Sequence, residues 1–202
     1  MSDTLICFDL DGTLSKQEIL PRIAELADIS EEIAALTQAT IQGVIPFEMS
    51  FKLRVRLLRN ICPRKISDYV AETVELDERI LRYIRNGSGA DCVVVTGNLD
   101  CWIEGLVRRI GVPYVSSLGE VKNGRLLGVA NVLRKDAPVA QFRRDYRRII
   151  AVGDGENDIP LFRQADVGIA YGGVHAPSAN LANMADYIVY SSEALCDLLS
   201  MQ

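Results

Sequence analysis

Residues 4–13 read Thr-Leu-Ile-Cys-Phe-Asp-Leu-Asp-Gly-Thr, and this stretch decides the fold. Thr4 to Phe8 is a short apolar run stopped abruptly by Asp9-Leu10-Asp11-Gly12-Thr13. That is the pattern of a buried parallel strand running out into a polar loop. Residues two apart at a strand end project to the same side, so Asp9 and Asp11 can face one site. Gly12 lets the chain turn there without a Cβ penalty.

Three similar runs follow much later: CVVVT at 92–96, RIIAVGD at 148–154 and DVGIA at 166–170. A weaker one, DYIVY at 186–190, reads as a sheet edge. Between them lie helical patterns. Leu99, Trp102, Ile103, Leu106, Val107 and Ile110 fall on one apolar face, and the helix they define is expected to begin near Asn98. Strand alternating with helix predicts an α/β fold, a doubly wound parallel sheet. Asn123-Gly124, between Lys122 and Arg125, predicts a tight β-hairpin. Residues 16–75 break the alternation with helical periodicity alone, as expected for a cap inserted after the first strand. The remainder, 1–15 and 76–202, makes the core. Trp102 and the pair Phe47 and Phe51 are expected inside.

The 202 residues are 49% hydrophobic and 24% charged, enough to bury a sizeable core. A net charge of −5 argues against nucleic acid or an anionic membrane surface as partner. An acidic protein that handles phosphate must therefore supply positive charge locally, from a metal or a few placed basic groups. Cys7, Cys62, Cys92, Cys101 and Cys196 form no CxxC and no disulfide framework, which suits a reducing compartment. The N-terminus lacks the basic and apolar regions of a signal peptide, and no apolar run reaches the roughly 20 residues of a membrane span. A cytoplasmic protein is expected.

A second acidic cluster, Gly153-Asp154-Gly155-Glu156-Asn157-Asp158, also follows an apolar run. Open α/β sheets bind ligands beyond the carboxyl ends of their strands. Two carboxylate groups gathered there suit Mg²⁺, which takes a few carboxylates plus waters. Either cluster alone is ordinary turn chemistry. Together, with Thr96 and Lys135 between them, they point to phosphate chemistry. Phosphate monoesters hydrolyse extremely slowly in water, so an enzyme must neutralise the phosphoryl oxygens and present a good nucleophile. A carboxylate can be that nucleophile, and a second carboxyl can protonate the leaving alkoxide and then activate water. Asp9 and Asp11 fit these roles in order.

DLDGT, a strand ending in Thr-Gly, a lysine and GDGENDIPLF, in that order, resemble the motifs of the haloacid dehalogenase superfamily of phosphohydrolases. The resemblance covers nearly the whole chain. It implies Asp9 as nucleophile, Asp11 as general acid/base, and magnesium held by the Asp9 carboxylate, the Asp11 carbonyl and Asp154. It further implies Asp158 supporting the metal site, Thr96, Gly97 and Asn157 at the phosphoryl group or lysine, and Lys135 neutralising charge beside Asp9.

The helical insert resembles that of the phosphoserine phosphatase branch. Glu18 stands where the branch keeps a glutamate for the substrate ammonium. The segment GVIPFEMSFKLRVRLL is similar to the branch's cap signature and places Arg54 at the substrate carboxylate. A guanidinium fork matches a carboxylate bidentately. The implied partner is thus a small phosphorylated metabolite, a phospho-amino acid, with hydrolysis to serine and phosphate. Asn98, where the branch has glycine, and Ile41, where it has methionine, depart from the pattern, and 137–148 is shorter. They leave open another small phosphorylated alcohol, or transfer of phosphate to an acceptor other than water. A non-catalytic phospho-ligand module is the remaining alternative. His175, the only histidine, lies in a Gly-Gly-Val-His-Ala-Pro loop and receives no catalytic role.

Overall fold

A computed structural model describes residues 2–41, 44–86 and 89–202. The sheet has seven strands: β1 (Thr4–Phe8), β2 (Asp91–Leu99), β3 (Tyr114–Lys122), β4 (Arg125–Asn131), β5 (Arg148–Gly153), β6 (Val167–Tyr171) and β7 (Tyr187–Val189). Their order is β4-β3-β2-β1-β5-β6-β7, and every pairing is parallel except β3 with β4. β7 lies at one edge, as the weak DYIVY run predicts.

Alternation along β1 explains why the sheet is covered on both faces. Ile6 and Phe8 join one apolar cluster with Trp102 and Leu106, while Leu5 and Cys7 join a second with Val139 and Leu161. All four β1 side chains are buried, so a one-residue slip would exchange every contact. The Asn-Gly signal is realised between β3 and β4, with Asn123 at φ 52° and Gly124 at φ 72°. Two positive φ values in a two-residue loop match the right-handed twist of the flanking strands.

Ten α-helices accompany these strands among the described residues. Five stand between β1 and β2, the first four being α1 (Ile19–Ala27), α2 (Ser30–Ile41), α3 (Phe47–Leu58) and α4 (Pro63–Thr73). The chain leaves and re-enters the sheet through a paired neck. Ser15 bridges Leu76, the Lys16 N–H donates to the Glu75 carbonyl at 2.9 Å, and the Asp77 N–H donates to the Leu14 carbonyl at 2.9 Å. The rest are α5 (Glu78–Arg85), α6 (Asp100–Ile110), α7 (Val139–Asp145), α8 (Ile159–Phe162), α9 (Ala179–Met184) and α10 (Ser192–Ser200).

α4 packs on α6. The Gly105 N–H reaches Ser67 Oγ at 2.9 Å, and a Cβ on Gly105 would lie 2.8 Å from that of Ala71. This close approach ties one end of the helical insert to the sheet layer. α6 starts two residues later than the expected Asn98, because β2 runs on to Leu99. Its apolar face is the predicted one, with Trp102, Ile103 and Leu106 fully buried. The side chain of Ile41 lies outside the described residues. No described helix is long and apolar enough to cross a membrane, and all five cysteines are free.

Candidate active site

β1 sits where the winding of the sheet reverses, between β2 and β5, and that reversal opens a crevice at the carboxyl edge. Phe8 pairs with Val152, so Asp9, one residue beyond the pair, and Asp154, two residues beyond it, emerge from neighbouring strands. The Asp9 N–H still donates to the Val152 carbonyl at 2.9 Å, which fixes where its side chain leaves the sheet. The chain then turns sharply at Gly12, whose φ is +66°. A Cβ there would lie 2.7 Å from both Asp154 Oδ2 and His175 Nε2, so conformation and space both require glycine.

Lys135, in the loop between β4 and α7, is only 2% exposed. Its ammonium donates to Asp9 Oδ1 at 2.5 Å and Asp158 Oδ1 at 2.6 Å. Burial disfavours the charged amine, but the Asp158 and Asp9 carboxylates outweigh it and hold Lys135 above its ordinary value. The other Asp158 oxygen accepts from the Asp154 N–H at 3.1 Å and the Gly155 N–H at 3.0 Å. Asp158 is thus spent on shaping the turn and holding the lysine. Burial first, then the Asp158 charge, push the Asp9 carboxyl well above the usual carboxylate range.

Asp11 accepts from the Ile19 N–H at 2.8 Å through Oδ1 and from the Asn98 side-chain amide through Oδ2. Burial, then the Glu18 charge, raise its pKa to about 7. Asn98 also donates from its backbone N–H to Thr96 Oγ1 at 3.2 Å, and from its side chain at 3.1 Å. The Thr96 hydroxyl, fully buried, is therefore turned onto Asn98, while Gly97 and Asn98 themselves face the crevice.

The crevice is a cavity of about 240 Å³ lined by Asp9, Asp11, Gly97, Asn98, Asp154 and Asn157 on the sheet side. Glu18 and Arg54 line the same cavity from the helical insert, with Leu20, Phe47 and Phe51 beside them. Arg54, on α3, is 8% exposed. Among the described residues its polar contacts are long, at 3.4 Å to the Ser50 carbonyl and 3.4 Å to Thr37 Oγ1, and it stands 6.0 Å over the Phe47 ring. Burial lowers its pKa and the Glu18 charge opposes that. A larger groove of about 660 Å³ between α4, α6 and the β3–β4 hairpin holds none of the candidate catalytic, metal or substrate-binding residues.

Two residues differ from expectation. Phe47 stacks on Phe51 with ring centroids 5.9 Å apart, yet it is 43% exposed and walls the cavity, whereas Phe51 is buried. Helical spacing alone does not separate a core face from a cavity wall. His175 is not an isolated loop histidine, because its Nε2 lies 2.9 Å from Asp154 Oδ2 and 3.4 Å from Glu18 Oε1. Hydrogen bonding to Asp154 is the main reason its pKa rises to about 9. The available signal was its place after β6, whose carboxyl end opens on the same edge as Asp9 and Asp154.

A family model described as haloacid dehalogenase-like hydrolase matches residues 6–163. The chain belongs to the haloacid dehalogenase-like hydrolases. A second model of the same description matches residues 138–194. The chain is 29% identical over 179 residues to the phosphoserine phosphatase of Methanocaldococcus jannaschii, covering 83% of this chain and 84% of that one. It is 30% identical to that of Archaeoglobus fulgidus, covering 83% of this chain but 52% of the relative. It is 33% identical over 182 residues to phosphoserine phosphatase SerB2 of Mycobacterium tuberculosis, covering 83% and 44%. The chain thus spans about half the length of these last two. Its fold superposes on a phospho-aspartyl intermediate analogue of phosphoserine phosphatase with a TM-score of 0.82 at 25% identity, covering 98% and 99% of the two chains. A substrate-bound phosphoserine phosphatase complex gives 0.79 at 25% identity, covering 96% and 97%.

Proposed function

We propose that this hydrolase is a magnesium-dependent phosphomonoesterase that works through an aspartyl-phosphate on Asp9 and takes L-phosphoserine. The observation that carries the reading is the convergence of Asp9, Asp11, Glu18 and Arg54 on one cavity. An amino acid phosphate has three recognisable ends, and the cavity presents a complementary group for each. Arg54 offers a fork to the carboxylate and Glu18 an acceptor to the ammonium. The phosphate falls to the sheet edge, to Gly97 and Asn157, while the Thr96 hydroxyl, expected at the phosphate, is instead turned onto Asn98 and does not line the cavity. Helices α1 to α4, residues 16–75, act as a cap that carries the head-group contacts.

The donor set fits a hard cation. Carboxylate oxygens of Asp9, Asp154 and Asp158 lie within 4.8 Å of one another. Since both Asp158 oxygens are already engaged, Asp9, Asp154 and the Asp11 carbonyl would hold Mg²⁺, with Asp158 orienting them. Bound there, the ion would neutralise phosphoryl oxygens that otherwise repel an attacking carboxylate.

In the first half-reaction the Asp9 carboxylate attacks phosphorus, and the bond to the alkoxide breaks. Asp11 delivers its proton to that leaving oxygen. A pKa near 7 lets this residue hold a proton for the first step and accept one in the next, when water attacks the aspartyl-phosphate. Lys135 leaves Asp9 one free oxygen and offsets its charge. The free cysteines favour a reducing compartment, so a cytoplasmic place in serine formation follows from the same reading.

Turnover of a panel of phosphorylated metabolites with Mg²⁺ tests this function. Phosphoserine as the preferred ester supports it. Preference for a nucleotide or sugar phosphate with phosphoserine ignored refutes the substrate, and phosphate recovered on added homoserine instead of in solution refutes hydrolysis.

A further inference from the structure

The side chain of Asn98 reaches the cavity because β2 departs from its partner strand there. Thr96 pairs with Ser116 and Leu99 with Ser117, so Gly97 and Asn98 stand opposite no residue of β3. Extra residues of this kind bend a strand and re-aim a side chain. Asn98 is 5% exposed and lines the cavity beside Asp9 and Asp11. A Cβ on Gly97 would meet no atom within 4 Å, so that stretch of the wall is open, whereas the next residue fills its space with an amide.

Hydrogen bonds fix this side chain in place. Its Nδ2 donates to Asp11 Oδ2 and to Thr96 Oγ1, the latter at 3.1 Å, which uses both amide hydrogens. The Thr96 hydroxyl is fully buried, and the Ile19 N–H holds the other Asp11 oxygen at 2.8 Å. Rotating Asn98 aside would break both of its bonds and take a donor from a buried oxygen, which costs more than a bond exchanged with water. The wall does not yield.

As the acid that protonates the leaving oxygen, Asp11 must come within about 2.6–3.2 Å of it. The ester oxygen and the Asn98 amide then share one carboxyl. Glu18 and Arg54 draw the head group toward the helical insert, so the carbon bearing the ester oxygen crosses from the sheet side to the insert past Asn98. A CH₂ at that point presents only hydrogens to its surroundings. A branched carbon adds a methyl or larger group on one of its two sides. We propose that Asn98 is a specificity-determining residue that confines this site to phosphate esters of primary alcohols, by excluding a branch at the ester carbon. The proposal rests on the reading that Asp11 protonates the leaving oxygen while Glu18 and Arg54 hold the head group.

L-Phosphoserine, O-phospho-L-threonine and the allo diastereomer of the latter test it. All three share head group and phosphate, and the methyl occupies neither or one of the two positions on the ester carbon. We expect the wild type to reject at least one diastereomer. In Asn98→Gly, the ratio of kcat/KM for phosphoserine over that diastereomer falls roughly tenfold or more, the size of effect one methyl group has in a fitted pocket. Loss of the bond to Asp11 slows all three esters alike, so it leaves the ratio untouched and cannot mimic the result. Asn98→Ala, which keeps ordinary backbone freedom, shows a fall in the same direction and serves if the glycine variant folds poorly. A ratio unchanged or raised in these variants overturns the proposal, as does a wild type that takes both diastereomers as readily as phosphoserine. A wild type active on other phosphate esters but inert on phosphoserine overturns the parent reading and this one with it, whereas phosphoserine turnover with an unchanged ratio overturns this one alone.

Discussion

Lys135 donates to Asp9 Oδ1 at 2.5 Å across 126 residues of sequence. The same ammonium reaches Asp158, so one buried cation stands between two buried carboxylates, all three no more than 3% exposed. Removing one member of a buried ionic group leaves the others uncompensated.

Lys135→Met should therefore destabilise the metal-free protein by about 3–5 kcal/mol. Turnover should fall by roughly a hundredfold or more, because charge stabilisation beside the nucleophile is lost. Urea unfolding without added metal measures the first effect and steady-state kinetics the second. A stability change within 1 kcal/mol, on the order of a surface substitution, would mean that the triad is not what holds this corner together.

Asn98, where the resembling branch has glycine, makes a second prediction. Its side-chain amide favours the ionised form of Asp11, whose pKa lies at about 7. The first step needs Asp11 protonated, so kcat/KM falls as pH rises through that value. Asn98→Gly removes the donor, raises the Asp11 pKa further and should move the alkaline limb of the profile to higher pH. A limb that stays in place, or moves towards acid, would show that Asp11 does not set it.

Most of this arrangement was legible in the chain. Asp9 and Asp154 were found because each follows an apolar run, and the parallel pairing of β1 with β5 brings both to one edge. The Asn123-Gly124 turn was legible because positive φ has a strong residue signature. Lys135 was singled out only by motif order, since nothing local in Arg134-Lys135-Asp136 signals a lysine 2% exposed. His175 was missed for a related reason. Its partners Glu18 and Asp154 are 157 and 21 residues away, and side-chain contacts across a fold leave no trace in local periodicity.

Magnesium should stabilise the chain. At a hundredfold excess over its Kd, a ligand of the native state adds about 2.7 kcal/mol, or roughly 5–10 °C in Tm for a protein of this size. Asp154→Asn should suppress most of that shift. Thermal denaturation with and without Mg²⁺ checks both, and an undiminished shift in Asp154→Asn would place the ion elsewhere.

Arg54→Lys keeps a charge but loses the fork that matches a carboxylate. We expect KM for phosphoserine to rise about tenfold, a loss typical of one charge-assisted hydrogen bond. The loss on an ester without a carboxylate, such as p-nitrophenyl phosphate, should be smaller. Equal losses on both would remove Arg54 from head-group recognition.

The nucleophile is tested most directly by trapping the covalent species. The protein is mixed with phosphoserine and Mg²⁺, quenched in acid within one turnover, digested and read by mass spectrometry. The account predicts one phosphoryl group on Asp9 in the wild type and none in an inactive Asp9→Asn variant. Phosphate on another side chain, or full turnover by Asp9→Asn, would contradict it.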